Sequence, residues 1–313
     1  MSAVAPAKDF LSILDLSTNE LLELLDVSAR IKADRPLGLD APTAGTLRGA
    51  HVALLFEKPS LRTRSTFEIA IRELGGETIH LPREFADGTR EPLQDVARNL
   101  ERWVKALVIR TFAHRKAAAL AAAGTRLHVI NALSDAEHPC QALADLLTMV
   151  EHWGACEGRT LAFVGDGNNV ATSLVHAVPQ LGISVHVATP EGYELPSRVV
   201  EAGSRAARAG ARVRTFNSAR EAVIGADAVY TDVWTSMGQE DEAIVRRQKF
   251  QPFQVNSQLM SAAKPRALFM HCLPAHRGEE VTADVFESAA SVVFDQAENR
   301  LHTQKSLLLK LLS

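Results

Sequence analysis

Cysteine is scarce in this chain: Cys140, Cys156 and Cys272 are the only three among 313 residues. An odd number in a chain of ordinary size argues against a disulfide framework and fits a reducing compartment. Long apolar runs are missing too, since no window approaches the roughly 18 uninterrupted apolar residues of a membrane-spanning helix. There is no excess of one charge sign: 34 Lys+Arg stand against 37 Asp+Glu, a formal net charge of −3. Without a global basic field to hold a phosphate backbone, nucleic acid is not an expected partner. Residues 1–8 are Ala/Pro-rich and lack the apolar core of a secretory signal. These absences together place the chain in the cytoplasm, with no membrane partner.

What is present is the composition of a globular protein, with 46% hydrophobic and 23% charged residues, at a length that suits about two domains. After a first helix over 17–32, opened by the Ser-Thr-Asn cap signal, short apolar strands alternate with longer amphipathic segments. Residues 51–56, 78–81, 106–109 and 127–130 read as strands, and 65–74, 92–103 and 115–123 as the helices between them. A longer helix over 139–153 begins with proline and ends at Gly154. The second half repeats the grammar, with strands at 160–164, 184–188, 212–215, 228–231, 267–271 and 292–294, and helices at 170–181 and 196–209. A polar, aperiodic stretch over 234–259 reads as a functional loop, and 298–312 as a closing helix. The expectation is an α/β protein of two doubly wound parallel-sheet domains joined by interdomain helices. Residues 1–153 form the first, 154–296 the second, and 297–313 pack back on the first.

Chemistry concentrates after strands. Ser60-Leu61-Arg62-Thr63-Arg64 follows a strand and opens a helix, where hydroxyls, free amides and arginines suit a dianionic phosphate. Those residues alone also fit a plain serine cap with surface arginines. No G-x-x-x-x-G-K-[ST] sequence occurs, so this is not a nucleotide P-loop. Arg110 closes a strand, where open α/β sheets bind ligands beyond the carboxyl ends. His138-Pro139-Cys140-Gln141 stands at a helix start, with an imidazole and a carboxamide about one turn apart; a capping histidine fits equally well. Gly165-Asp166-Gly167-Asn168-Asn169-Val170 resembles a dinucleotide turn without its third glycine, and its asparagines suit a polar substrate better. Asp232 and Ser236, at another strand end, offer a carboxylate and a hydroxyl to an amino acid, although a solvated loop acid fits as well. His271-Cys272-Leu273-Pro274 does not read as zinc-binding, because neighbours on a strand point to opposite faces and no fourth ligand stands at finger spacing. No G-x-S-x-G elbow is present for a serine nucleophile.

In this order, the segments resemble the transcarbamylase family over essentially the whole chain. Ser60-Leu61-Arg62-Thr63-Arg64 is similar to the family's S-x-R-T-R motif and His138-Pro139-Cys140-Gln141 to its H-P-x-Q motif. Asp232-Val233-Trp234-Thr235-Ser236-Met237-Gly238 and His271-Cys272-Leu273-Pro274 are similar to the motifs of its ornithine-using members. The resemblance implies transfer of the carbamoyl group of carbamoyl phosphate to the side-chain amine of L-ornithine, giving citrulline and phosphate, in arginine biosynthesis or, run in reverse, in citrulline breakdown. It also implies a homotrimer and neither metal nor organic cofactor. Carried over, Ser60, Leu61, Arg62, Thr63, Arg110, His138, Pro139, Cys140, Gln141, Cys272, Leu273 and Arg300 hold carbamoyl phosphate. Asn169, Asp232, Ser236 and Met237 hold ornithine, and Arg110, His138, Gln141, Asp232 and Cys272 are the catalytic set. Two positions depart from the family pattern: Ala86, where many relatives carry glutamine, and Cys140, where threonine is commoner. Rival readings are a transcarbamylase for putrescine or an N-acylated ornithine, disfavoured by Ser236-Met237-Gly238, and a non-catalytic metabolite-binding module.

Overall fold

The computed structural model describes residues 8–313 apart from Asp87, Met237 and Gln239. It divides into two compact units, Met1–Leu147 with Glu298–Ser313, and Thr148–Ala297.

In the first unit β1 (His51–Phe56), β2 (Glu77–Leu81), β3 (Ala106–Arg110) and β4 (His128–Leu133) form a parallel sheet in the order β2-β1-β3-β4. Helices α1 (Thr18–Asp34), α2 (Leu61–Glu73), α3 (Leu93–Leu100), α4 (His114–Ala123) and α5 (Pro139–Trp153) accompany it. β3 reads Ala-Leu-Val-Ile-Arg and is buried throughout, the unbroken apolar run of a strand covered on both faces. Leu107 and Ile109 of β3 pack with Leu100 of α3 and Leu120 of α4.

The second unit contains β5 (Thr160–Val164), α6 (Asn169–Ala177), β6 (Ser184–Ala188), α7 (Ser197–Ala206), β7 (Val213–Phe216), α8 (Ala219–Val223) and β8 (Ala228–Thr231). α9 (Ala243–Phe250), α10 (Ser257–Met260), β9 (Leu268–His271) and α11 (Ala283–Phe286) follow, then α12 (Val293–Leu312), most of which belongs to the first unit. The sheet is again parallel, in the order β7-β6-β5-β8-β9. Val164 of β5, Val229 of β8 and Phe269 of the edge strand β9 pack with Val223 of α8 and Phe286 of α11. Within the first unit α12 meets α1, with Ser306 Oγ donating to the Leu24 carbonyl at 2.9 Å and Lys310 pairing with Glu20 at 2.9 Å. Among the described residues no helix is long and apolar enough to cross a membrane.

Three expectations are corrected. Residues 292–294 are not a strand: Val292 N–H donates to Phe269 of β9 at 3.0 Å, but the chain turns helical at Val293. Arg300 therefore stands well inside α12, rather than in its first turn. The stretch 234–259 is no long loop, because α9 and two short 3-10 turns occupy much of it. The helix expected over 170–181 is α-helical only to Ala177, where Pro179 enforces a 3-10 turn.

Candidate active site

In each sheet the expected site residues gather beyond the carboxyl ends of the strands, around the point where neighbouring central strands are followed by crossovers in opposite directions. In the first unit this point lies between β1 and β3, whose last residues Phe56 and Arg110 are register partners. From there the chain runs through Ser60 into α2, which starts four residues earlier than periodicity predicts. Ser60 is the helix N-cap, in extended conformation, but its hydroxyl makes no capping bond. Instead it accepts Arg110 Nη1 at 3.3 Å. The positive end of the α2 dipole is thus left to a ligand, with Arg62 half-buried beside it. Arg64 is turned aside, paired with Glu68 at 3.0 Å.

A buried polar network sets the rest of this half-site. Arg300, 2% exposed, donates from Nη1 to Gln141 Oε1 at 2.6 Å and from Nη2 to Thr63 Oγ1 at 2.7 Å. Gln141 Nε2 donates in turn to Asp145 Oδ1 at 2.8 Å, which fixes the carboxamide from both ends. His138 is 5% exposed, and its carbonyl accepts the first amides of α5. Burial holds its pKa well below the usual histidine range, and Arg300, Arg110 and Arg62 push the same way. The imidazole is therefore neutral, able to donate a hydrogen bond without needing to shed charge. Cys140, by contrast, is turned inward: its thiol donates to the Asn131 carbonyl at 3.5 Å, and burial pushes its pKa up to about 12. Any substrate contact there comes from backbone, not sulfur. Leu61 is exposed, Pro139 buried at the start of α5, and Ala86 fully buried. Sequence reading missed Glu57, which accepts Thr111 Oγ1, Phe112 N–H and Lys116 Nζ, tying the end of β1 to the residues after β3.

In the second unit the equivalent point lies between β5 and β8. Asp232, 7% exposed, follows β8 and accepts two side chains. Cys272, just after β9, donates Sγ–H to Asp232 Oδ1 at 3.0 Å, and Asn168 donates Nδ2–H to Oδ2 at 2.8 Å. Asn168 also caps α6, accepting Val170 and Ala171 amides at 3.0 and 3.1 Å. It is a second residue that sequence reading passed over in favour of Asn169, which is the first residue of α6. The glycine turn before it has a packing reason: a Cβ on Gly167 would lie 2.6 Å from the Tyr193 carbonyl. That removes the need for a dinucleotide to explain it. Ser236 is half-buried near Trp234, whose carbonyl accepts Arg246 Nη1 at 2.9 Å. Met237 lies outside the described residues. Arg246 also pairs with Asp166 at 2.9 Å, both buried; burial above all, with the Asp232 and Glu242 charges beside it, nevertheless raises the Asp166 pKa.

Strand alternation does not keep the ligand-type side chains after β8 and β9 apart. One ligand atom each from Asp232, His271 and Cys272 lies within 4.8 Å of the others. However, the His271 Nδ1 accepts the Leu273 N–H at 2.8 Å and Nε2 lies 3.3 Å from Glu280 Oε1, so both imidazole nitrogens are engaged.

Comparison with known proteins adds an independent line. Residues 8–151 match the carbamoyl-P binding domain of aspartate/ornithine carbamoyltransferase, and 157–311 match its Asp/Orn binding domain. The chain is 49% identical to the ornithine carbamoyltransferase of Geobacillus stearothermophilus, covering 100% of both chains. The structure of ornithine carbamoyltransferase from Pyrococcus furiosus is similar with a TM-score of 0.92 at 46% identity, covering 98% of this chain and 97% of that one. That of the anabolic ornithine carbamoyltransferase of Campylobacter jejuni is similar with a TM-score of 0.88 at 34% identity, covering 97% and 98%. With both family domains matched and this full-length similarity, the chain belongs to the aspartate/ornithine carbamoyltransferase family.

Proposed function

We propose that this chain transfers the carbamoyl group of carbamoyl phosphate to the side-chain amine of L-ornithine, giving L-citrulline and phosphate. The observation that carries this reading is the first-unit cluster: three guanidinium groups, Arg62, Arg110 and Arg300, around a neutral His138 beside the free N-terminus of α2. Three cations and a dipole end suit a dianionic phosphate, and a neutral imidazole beside them suits a carbonyl oxygen gaining negative charge.

Ser60, Leu61, Arg62 and Thr63 hold the phosphate, largely through first-turn amides, and Arg110 spans phosphate and carbonyl. His138 and Gln141 polarise the carbonyl, with Arg300 locking Gln141 in place. Asn169, Asp232, Ser236 and Met237 bind ornithine by its α-amino and α-carboxylate groups, while Cys272 and Leu273 lie by its side-chain amine. That amine is protonated near neutral pH and must lose its proton before attack. The neutral nitrogen then forms a bond to the carbonyl carbon, the carbon–oxygen bond to phosphate breaks, and the amine proton leaves toward Asp232 or the departing phosphate. No covalent enzyme intermediate is required. A non-catalytic binding module would not need donors converging on a carbonyl.

We place the reaction in arginine biosynthesis in the cytoplasm and the enzyme in a homotrimer. The trimer reading rests on the resemblance to the family. The site reading is tested by carbamoyl-phosphate-dependent citrulline formation with phosphate released one for one. Arg110→Ala and His138→Ala should each lower kcat by about a hundredfold or more, on the scale of losing an oxyanion donor. Wild-type turnover in both would refute the assignment.

A further inference from the structure

Glu280 is 0% exposed, a carboxylate placed wholly inside the second unit, and it belongs to none of the motifs that mark the family. Its Oε1 accepts the backbone N–H of His276 and lies 3.3 Å from His271 Nε2. The His271 side chain is also 0% exposed, and its Nδ1 accepts the Leu273 N–H at 2.8 Å. A ring nitrogen that accepts carries no hydrogen, so the imidazole proton is on Nε2 and points at Glu280. One carboxylate oxygen therefore holds both ends of the turn from His271 to His276.

That turn needs holding. Leu273 has φ +61°, the left-handed region that a branched side chain rarely enters. Such a residue persists only where its surroundings over-determine it. The supports are the Leu273 N–H bond to His271 and the carboxylate behind it. Glu280 is anchored in turn by its own backbone, whose carbonyl accepts Val255 N–H at 2.9 Å, while Thr282 N–H donates to the Val255 carbonyl at 3.0 Å. From the other side, His271 N–H donates to Gln296 Oε1 at 3.0 Å. Between these anchors Cys272 is presented to Asp232.

We propose that Glu280 is a positioning residue: through the His271 imidazole it fixes the turn that sets Cys272 and Leu273 against the ornithine amine. This rests on the placing of Cys272 and Leu273 in the ornithine half-site. The role is geometric, so a carboxamide should largely replace the carboxylate, since its oxygen still accepts both N–H groups, whereas a methyl should not.

The test uses the full chain in a Cys156→Ser background. Cys140 is buried, so Cys272 is then the thiol that iodoacetamide reads. Glu280→Gln should keep kcat within about threefold of the parent. Glu280→Ala should lower kcat by about tenfold or more, raise the ornithine KM severalfold, and alter the alkylation rate of Cys272 severalfold. Should Glu280→Ala not fold, His271→Gln serves, because one carboxamide cannot reproduce both imidazole bonds; the same ornithine-side loss and altered alkylation are expected. Parental alkylation and kinetics in the folded variants would overturn the positioning role, as would a loss in Glu280→Gln equal to that in Glu280→Ala. Cys272→Ser is measured in parallel, in the Cys156-containing chain. If it keeps the parental kcat, the half-site reading falls instead, while the thiol rates still decide whether Glu280 sets the turn.

Discussion

Arg62 and His138, both proposed to meet carbamoyl phosphate, would do so in two different ways. Arg62 is half-buried at the first turn of α2 and contributes little to the core. Arg62→Ala should therefore lower kcat/KM for carbamoyl phosphate by a factor of about a hundred or more, while the melting temperature stays close to that of the parent chain. Steady-state kinetics beside a thermal melt separates the two effects. His138 acts by staying neutral. Its folded-state pKa is depressed, by burial first and by the three arginines second. The unfolded chain thus takes up a proton on this residue near the ordinary value of 6.5, where the folded chain does not. The sign follows: the neutral imidazole's contribution to stability is intact above that value and is lost as pH falls from it toward the folded pKa. An NMR titration of the ligand-free chain should show the His138 ring neutral at pH 6, and a normal titration there would contradict the account. Cys272→Ser should reduce kcat more than it weakens ornithine binding, because its thiol faces Asp232 at the presumed proton exit.

Elements show what a sequence can and cannot tell. The buried strands β1, β5, β6 and β8 were readable to the residue, because a parallel strand covered on both faces is a short apolar run between breakers. α9 was not, because its polarity is inverted: Arg246 and Phe250 are buried, while Ile244 and Val245 are 72% and 54% exposed. The inward arginine is tolerable because Asp166 and Glu242 both pair with it and the Trp234 carbonyl accepts from it, and two of these partners lie outside α9 and its N-cap. The site divides in the same way. The groups proposed to meet substrate were read from strand ends and helix starts, whereas Asn168, Asp145, Glu57 and Glu280 act through partners that only the fold supplies. Asn168 lets two of its roles be separated. Asn168→Ala removes both the α6 cap and the Asp232 contact, and should cost about 1 kcal/mol of stability as well as ornithine affinity. Asn168→Ser keeps a capping oxygen, so denaturant melts should show stability recovered while ornithine binding stays weakened. Equal recovery of both would show that the Asp232 contact carries nothing.

At the scale of the whole molecule, the family similarity runs the length of the chain. Sedimentation equilibrium should give three times the protomer mass, and a stable monomer would remove the trimer reading. The central claim concerns the amine. The most direct measurement is kcat/KM for carbamoyl transfer to ornithine, N-acetylornithine, putrescine and lysine under one set of conditions, with the carbamoylated product and phosphate both quantified. The α-amino and α-carboxylate contacts assigned to Asp232, Ser236 and their neighbours predict ornithine ahead of putrescine by a factor of about a hundred or more, since putrescine leaves those buried polar groups unpaired. A rate with putrescine or acetylornithine equal to or above that with ornithine would contradict the account.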